Sequence, residues 1–179
     1  MKRSLLLRLL QEYSPSDEEE RRYQDQMTSF VQQNEHCFER SLEIGHITAS
    51  AWLLNKEGSH ALLMHHAKLN LWCQLGGHCD GDPDPLAVAL KEASEESGIQ
   101  GITALSPSIF DIDIHLIPAH KGIKEHFHYD VRFLLQVKSD EKILINHEAK
   151  ELRWITRDRV SLPTEHRSVV RMFDKWSKH

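Results

Sequence analysis

The chain has 179 residues, 40% of them hydrophobic, with 22 basic against 27 acidic side chains and a net charge of −5. That length suits one domain with a sizeable core, and the lack of any Lys/Arg block removes the electrostatic footprint of stable nucleic-acid binding. No apolar run reaches the roughly 20 residues needed to span a bilayer, and three cysteines without a C-x-x-C pair argue against a disulfide framework and for a reducing, cytoplasmic setting.

In chain order, residues 2–13 predict a short amphipathic helix; Arg8 interrupts the apolar run and no small-residue cleavage site follows, so a secretory leader is rejected. Ser14, Pro15, Ser16 and Asp17 make a turn and cap before a second helix, in which Tyr23, Met27, Phe30 and Val31 recur at helical spacing. This stripe packs on the chain's own catalytic domain, with a homodimer interface as the alternative. Residues 45–54 and 61–64 predict a hairpin around Asn55 to Gly58. A third strand is expected near 71–75, ending in a flexible Gly76-Gly77 turn and a polar loop. Further strands are expected at 102–105, 109–116, 126–137 and 152–155, and a final helix at 164–177.

The informative stretch is 77–99. Asp84 suits the cap and Pro85 the first position of a helix, and Gly98 ends it. Leu86, Ala89, Leu90 and Ala93 form its apolar stripe, and Glu92, Glu95 and Glu96 share another face, pointing away from the core. Spaced i, i+3 and i+4, these glutamates repel one another by about 0.2–0.5 kcal/mol per pair. A hard divalent cation, Mg²⁺ above all, is the natural counter-charge, since it joins carboxylates to substrate phosphates.

These residues resemble the Nudix hydrolase motif G-x5-E-x7-R-E-U-x-E-E-x-G-U, where U is a bulky aliphatic residue. Gly77 fills the first glycine, Glu92 the glutamate of the R-E pair, Glu95 and Glu96 the E-E pair, and Gly98-Ile99 the close. The chain departs at three places: Pro83 stands for the early glutamate, Lys91 for the arginine and Ala93 for the first bulky aliphatic. Lysine cannot reproduce the planar fork of arginine. The resemblance implies an α/β fold, an α/β/α sandwich on a mixed β-sheet, at residues 45–179, with residues 1–44 as an N-terminal helical extension.

It also implies a pyrophosphohydrolase acting on a nucleoside diphosphate linked to another moiety, such as ADP-ribose or a nucleotide sugar. Mg²⁺, with Mn²⁺ as the alternative, is expected on Glu92, Glu95, Glu96 and the backbone oxygen of Gly77, with Glu148 as a further ligand. Glu125, in a loop ahead of a strand, is a candidate general base. His126 and His128 alternate with Phe127 and Tyr129, so both face one side of the sheet and line the substrate pocket, unless they are simply a polar strand face. His78, just after the glycines, joins them; His115 and the pair His65-His66 read as ordinary. Thirteen histidines admit a zinc site on count, but no spacing among them defines one. Two other functions stay open: a nucleotide-metabolite sensor without catalysis, and a Nudix-fold isoprenoid diphosphate isomerase, which Cys79 near the metal site would serve.

Overall fold

The structure, a computed structural model, describes residues 2–120 and 122–178. The two terminal residues and the first residue of the expected loop ahead of Glu125 therefore lie outside the described residues.

Two helices open the chain, α1 (Ser4–Glu12) and α2 (Glu18–Gln33). Asp17 caps α2 by accepting the Glu20 N–H at 2.8 Å. The strands are β1 (Gly45–Leu54), β2 (His60–His66), β3 (Trp72–Cys73) and β4 (Leu75–His78). After them come α3 (Pro85–Ser97), β5 (Ile102–Ala104), β6 (Asp111–Ile117), β7 (His126–Val137), β8 (Ala149–Thr156) and α4 (Arg167–Ser177).

All eight strands form one mixed sheet with β1 at its centre. All ten β1 residues are buried, as expected of a strand covered on both faces. It runs parallel to β7 from Gly45↔Phe127 to Leu54↔Gln136. Its other edge takes β4 antiparallel at Thr48↔His78 to Ala51↔Leu75, and then β2 at Leu53 and Leu54. β6 and β5 continue outward from β7, and β3 and β8 from β2.

One face of the sheet carries Ala49, Ala51, Val131 and Phe133 against Leu6, Leu10, Met27, Val31, Ala89 and Ala93 of the first three helices. Phe30 stacks on Tyr129 with ring centroids 3.9 Å apart, so the α2 stripe is spent on the chain's own sheet. The other face sets Trp52, Leu54, Leu63 and Ile155 against Met172, Phe173 and Trp176 of α4. Helices on both faces give the α/β/α sandwich.

Along that second face the core turns polar. Arg132, 1% exposed, reaches Asp130 at 2.7 Å, Asp111 at 2.9 Å and Asp113 at 3.3 Å. Thr48 and Ser50 donate to Asp130 at 2.9 and 2.7 Å, and Arg171 and Lys175 of α4 bind Asp111 at 2.9 and 2.7 Å. A buried charge is tolerated when its neighbours satisfy it, and this lattice ties α4 to β6 and β7.

The expected single strand at 71–75 is two strands. Trp72 and Cys73 pair with His65 and Met64 at the sheet edge, whereas Leu75 to His78 crosses to β1. Gly76 and Gly77 therefore lie inside a strand, not in a turn. Gly76 is needed there because a Cβ would stand 2.6 Å from the Ala49 carbonyl oxygen. The last helix starts at Arg167, three residues later than its periodicity suggests, after Thr164 accepts the His166 N–H at 3.1 Å.

Candidate active site and a neighbouring histidine cluster

The path β4, loop, α3 sets the glutamates in place. Asp84 accepts the N–H groups of Leu86 and Ala87, both at 3.1 Å, and Gly98 closes α3 with φ 72°. Lys91 bridges Glu92 and Glu95 at 3.6 Å each. Glu95 stays on the exposed side, but Glu96 corrects the expectation that all three carboxylates point away from the core. It is 4% exposed and accepts the Gly76 N–H at 2.8 Å. Glu92 lies against the Cα of Gly77, where an added Cβ would fall 2.7 Å from its carboxyl carbon.

Burial pushes the Glu96 carboxyl up to about 8; the Gly76 N–H opposes this, and the charges of Glu92, Glu148 and Glu95 add to it. Glu92 is raised by burial too, with Lys91 opposing and Glu95 and Glu148 assisting. Glu148 thus stands within electrostatic reach of both. The segment that carries it is laid along α3 by the Leu144 N–H to the Ser97 carbonyl at 2.8 Å and by Asn146 to the Glu95 carbonyl at 3.4 Å. Carboxylates made costly to ionise by burial and by one another, with one lysine between them, fit a divalent cation. Glu125 is exposed and sits just ahead of β7, next to His126 in the chain.

The histidines converge more closely than the glutamates. Among the described residues, the group of three or more potential ligands whose donor atoms all lie within 4.8 Å of one another is His46, His78 and His128, not the acidic triplet. Register explains it: His46 faces His128 across the parallel β1–β7 pair, and His78 faces Thr48, two residues along β1 on the same side. Ring centroids are 5.1 Å apart for His46–His78 and 4.9 Å for both His46–His128 and His78–His128. His126 places its Nε2 3.3 Å from that of His128. His115, opposite His128 on β6, binds Asp113 at 3.2 Å.

His46 is 3% exposed, and neither ring nitrogen makes a well-formed hydrogen bond, the backbone of Leu42 lying only in weaker reach. Leaving such a group unsatisfied costs about 1–3 kcal/mol. Burial first, then neighbouring cationic and imidazole groups, pushes His46 and His78 down to about 4 and His128 to about 2, so the three rings are neutral near pH 7.

The sequence brought His78, His126 and His128 into view but missed His46 and treated His115 as ordinary. The available signal was polar alternation in an otherwise apolar strand: His46, Thr48 and Ser50 share a face of β1. That this face meets β7, whose partners lie some eighty positions on, is not a local property.

The sequence matches the NUDIX domain family over residues 45–176. No curated protein sequence matches it significantly. Among solved structures, an Ap4A hydrolase of C. elegans in a binary complex is similar at 18% identity and TM-score 0.58, with 74% of this chain and 95% of that one covered. A NUDIX-family hydrolase from Clostridium perfringens is similar at 21% identity and TM-score 0.57, over 74% and 97%. A MutT protein of Methanosarcina mazei Go1 follows at 18% and 0.55, over 76% and 96%. At these identities the likeness is one of fold.

Proposed function

The chain belongs to the NUDIX family, and from that premise we propose that this pyrophosphohydrolase cleaves a nucleoside diphosphate derivative with the help of Mg²⁺. The observation that carries the reading is the mutually repelling pair of half-buried Glu92 and buried Glu96 beside Gly77, a concentration of negative charge that one lysine does not offset. Glu92, Glu95, Glu96, the Gly77 backbone oxygen and Glu148 would hold the ion. Bound there, Mg²⁺ supplies charge neutralisation at the phosphate oxygens and a more acidic water.

The chain's own groups do the rest. Glu96, anchored to the Gly76 N–H, fixes the α3 carboxylates against β4. Lys91 holds Glu92 and Glu95 together where the family's arginine would stand. Glu125 on its exposed turn is the proposed proton acceptor, and His78, His126 and His128 meet the part of the substrate beyond the glutamates. ADP-ribose, nucleotide sugars, CDP-alcohols and dinucleoside polyphosphates all carry the scissile group, and the Ap4A hydrolysed by the C. elegans relative belongs to the last class.

Two observations weigh against the other functions. An isomerase would need Cys79 at the reaction, yet that thiol is buried and burial pushes its pKa up. A sensor would not need the carboxylates, and they are retained. No helix of the described residues is long and apolar enough to cross a membrane, and three free cysteines support a cytoplasmic location.

The test is a substrate panel with Mg²⁺, the product phosphomonoesters being read by the phosphate that added alkaline phosphatase frees from them, on the wild type and on Glu95→Gln and Glu96→Gln. Each variant is expected to lose about 100-fold or more in kcat while keeping its fold, the scale at which displaced catalytic groups act. Undiminished turnover in both would remove the metal role of this face.

A further inference from the structure

We propose that His46, His78 and His128 form a second metal site, distinct from the glutamates, for a divalent transition ion of the Zn²⁺ class. The three rings come from three adjacent strands, β1, β4 and β7, and each offers a nitrogen within 4.8 Å of the other two. Donors at the usual zinc–nitrogen length stand about 3.3 Å apart in a tetrahedron, so small ring rotations close the set. The strands already fix the backbone positions, and the rings need only turn.

His46 provides the independent sign. A native core rarely leaves a polar side chain without a partner, yet this ring, 3% exposed, makes no well-formed hydrogen bond at either nitrogen, the Leu42 backbone lying only in weaker reach, and it packs 5.1 and 4.9 Å from the other two imidazoles. A cation held between the three rings gives one of its nitrogens a partner.

The donor chemistry selects the ion. Imidazole nitrogens favour zinc, copper, nickel and their neighbours, whereas Mg²⁺ demands oxygen. The two proposed sites therefore do not compete for one cation. Three protein donors also leave a coordination position open, the arrangement of zinc centres that take water or a substrate oxygen. His126 adjoins the set, its Nε2 lying 3.3 Å from that of His128. On the other flank the ring of His115 lies 5.4 Å from that of His128 and is steered by Asp113, the kind of surrounding contact that orients ligands.

Gly77 and His78 are consecutive on β4 and point to opposite faces of the sheet, with Glu92 against the first and the imidazoles around the second, so the histidine set is a site separate from the glutamate face. The metal-binding claim does not depend on the hydrolysis reading.

The full-length chain, freed of metal with a chelator, is titrated with Co²⁺ in excess Mg²⁺ and followed by visible ligand-field absorption. One Co²⁺ per chain is expected, displaced by Zn²⁺ and unaffected by Mg²⁺. Substitutions His78→Gln and His128→Gln, at half-exposed positions, are each expected to weaken Co²⁺ binding about 100-fold, with His46→Gln as a third variant. A Glu92→Gln, Glu95→Gln double variant is expected to keep the spectrum and lose hydrolysis. The proposal falls if the folded wild type shows no such band, if both half-exposed histidine variants bind as tightly as wild type, or if the glutamate variant abolishes the band. Unchanged hydrolysis in the glutamate variant with the band intact would instead defeat only the hydrolysis reading.

Discussion

Gly77 has no room for a side chain because the Glu92 carboxylate occupies the space, 2.7 Å from where a Cβ would stand. The obstacle is the tip of a flexible side chain, so Gly77→Ala is expected to cost little stability, about 1–2 kcal/mol. Catalysis should suffer far more, since a displacement near 1 Å at a reacting group costs about 100-fold. Comparing the urea unfolding midpoint with kcat for this variant separates the two effects; parallel losses would mean that Gly77 serves folding alone. At this scale the sequence was readable where the local pattern carried the information, as at Asp84, Gly98 and the glutamate spacing. It misled on Glu96, whose burial comes from β4 lying under the helix, and was silent on His46, whose neighbours arrive from distant strands.

The helices hold together through charges placed inside the molecule. Glu20 of α2 is fully buried and accepts from the Tyr13 hydroxyl at 2.6 Å, Ser16 Oγ at 2.7 Å and the Lys175 ammonium at 2.8 Å. Burial alone would raise its pKa, but the lysine, the tyrosine and the Ser16 contacts overcome that and hold it at about 2. A carboxyl depressed by folding stabilises the native state above its unfolded pKa near 4.5, and that contribution disappears as the pH falls through the folded value. Urea unfolding should therefore show wild-type stability dropping by up to about 3 kcal/mol between pH 4.5 and 2 from this group. Glu20→Gln should be weaker at pH 7 and change less across that window; identical pH dependence in both proteins would refute the assignment. The helix stripes of α2 and α4 were legible in advance, because apolar spacing is local. The polar partners Tyr13, Glu20 and Lys175 were not, because they come from three separate parts of the chain.

For the molecule as a whole, the family match spans residues 45–176, so the first 44 residues are an appendage to the matched stretch. The packing makes that appendage a structural part of the core. Leu6, Leu10, Met27, Phe30 and Val31 belong to the same apolar cluster as Ala49 and Phe133. At about 1.5–3 kcal/mol each, five such side chains amount to about 10 kcal/mol, comparable to the full stability of a typical domain. A chain lacking residues 1–33 is expected to show no cooperative unfolding transition by circular dichroism; a truncated protein melting like the full chain would show the helices to be dispensable. Strands were readable from alternation, and the sandwich only through the family resemblance that the glycine-rich helix entry carries. The strand order was not, because the parallel pairing of β1 with β7 is a long-range choice that no local pattern specifies.

That Gly77 and His78 sit side by side on one short strand has a heritable consequence. Point substitutions are free to retune either ligand set separately, but inserting or deleting one codon between Leu75 and His78 inverts which residues face which way. Such a frame-preserving change would dismantle both clusters at a stroke, so descendants of this chain should vary in the length of the loop after Cys79 and almost never in the length of β4.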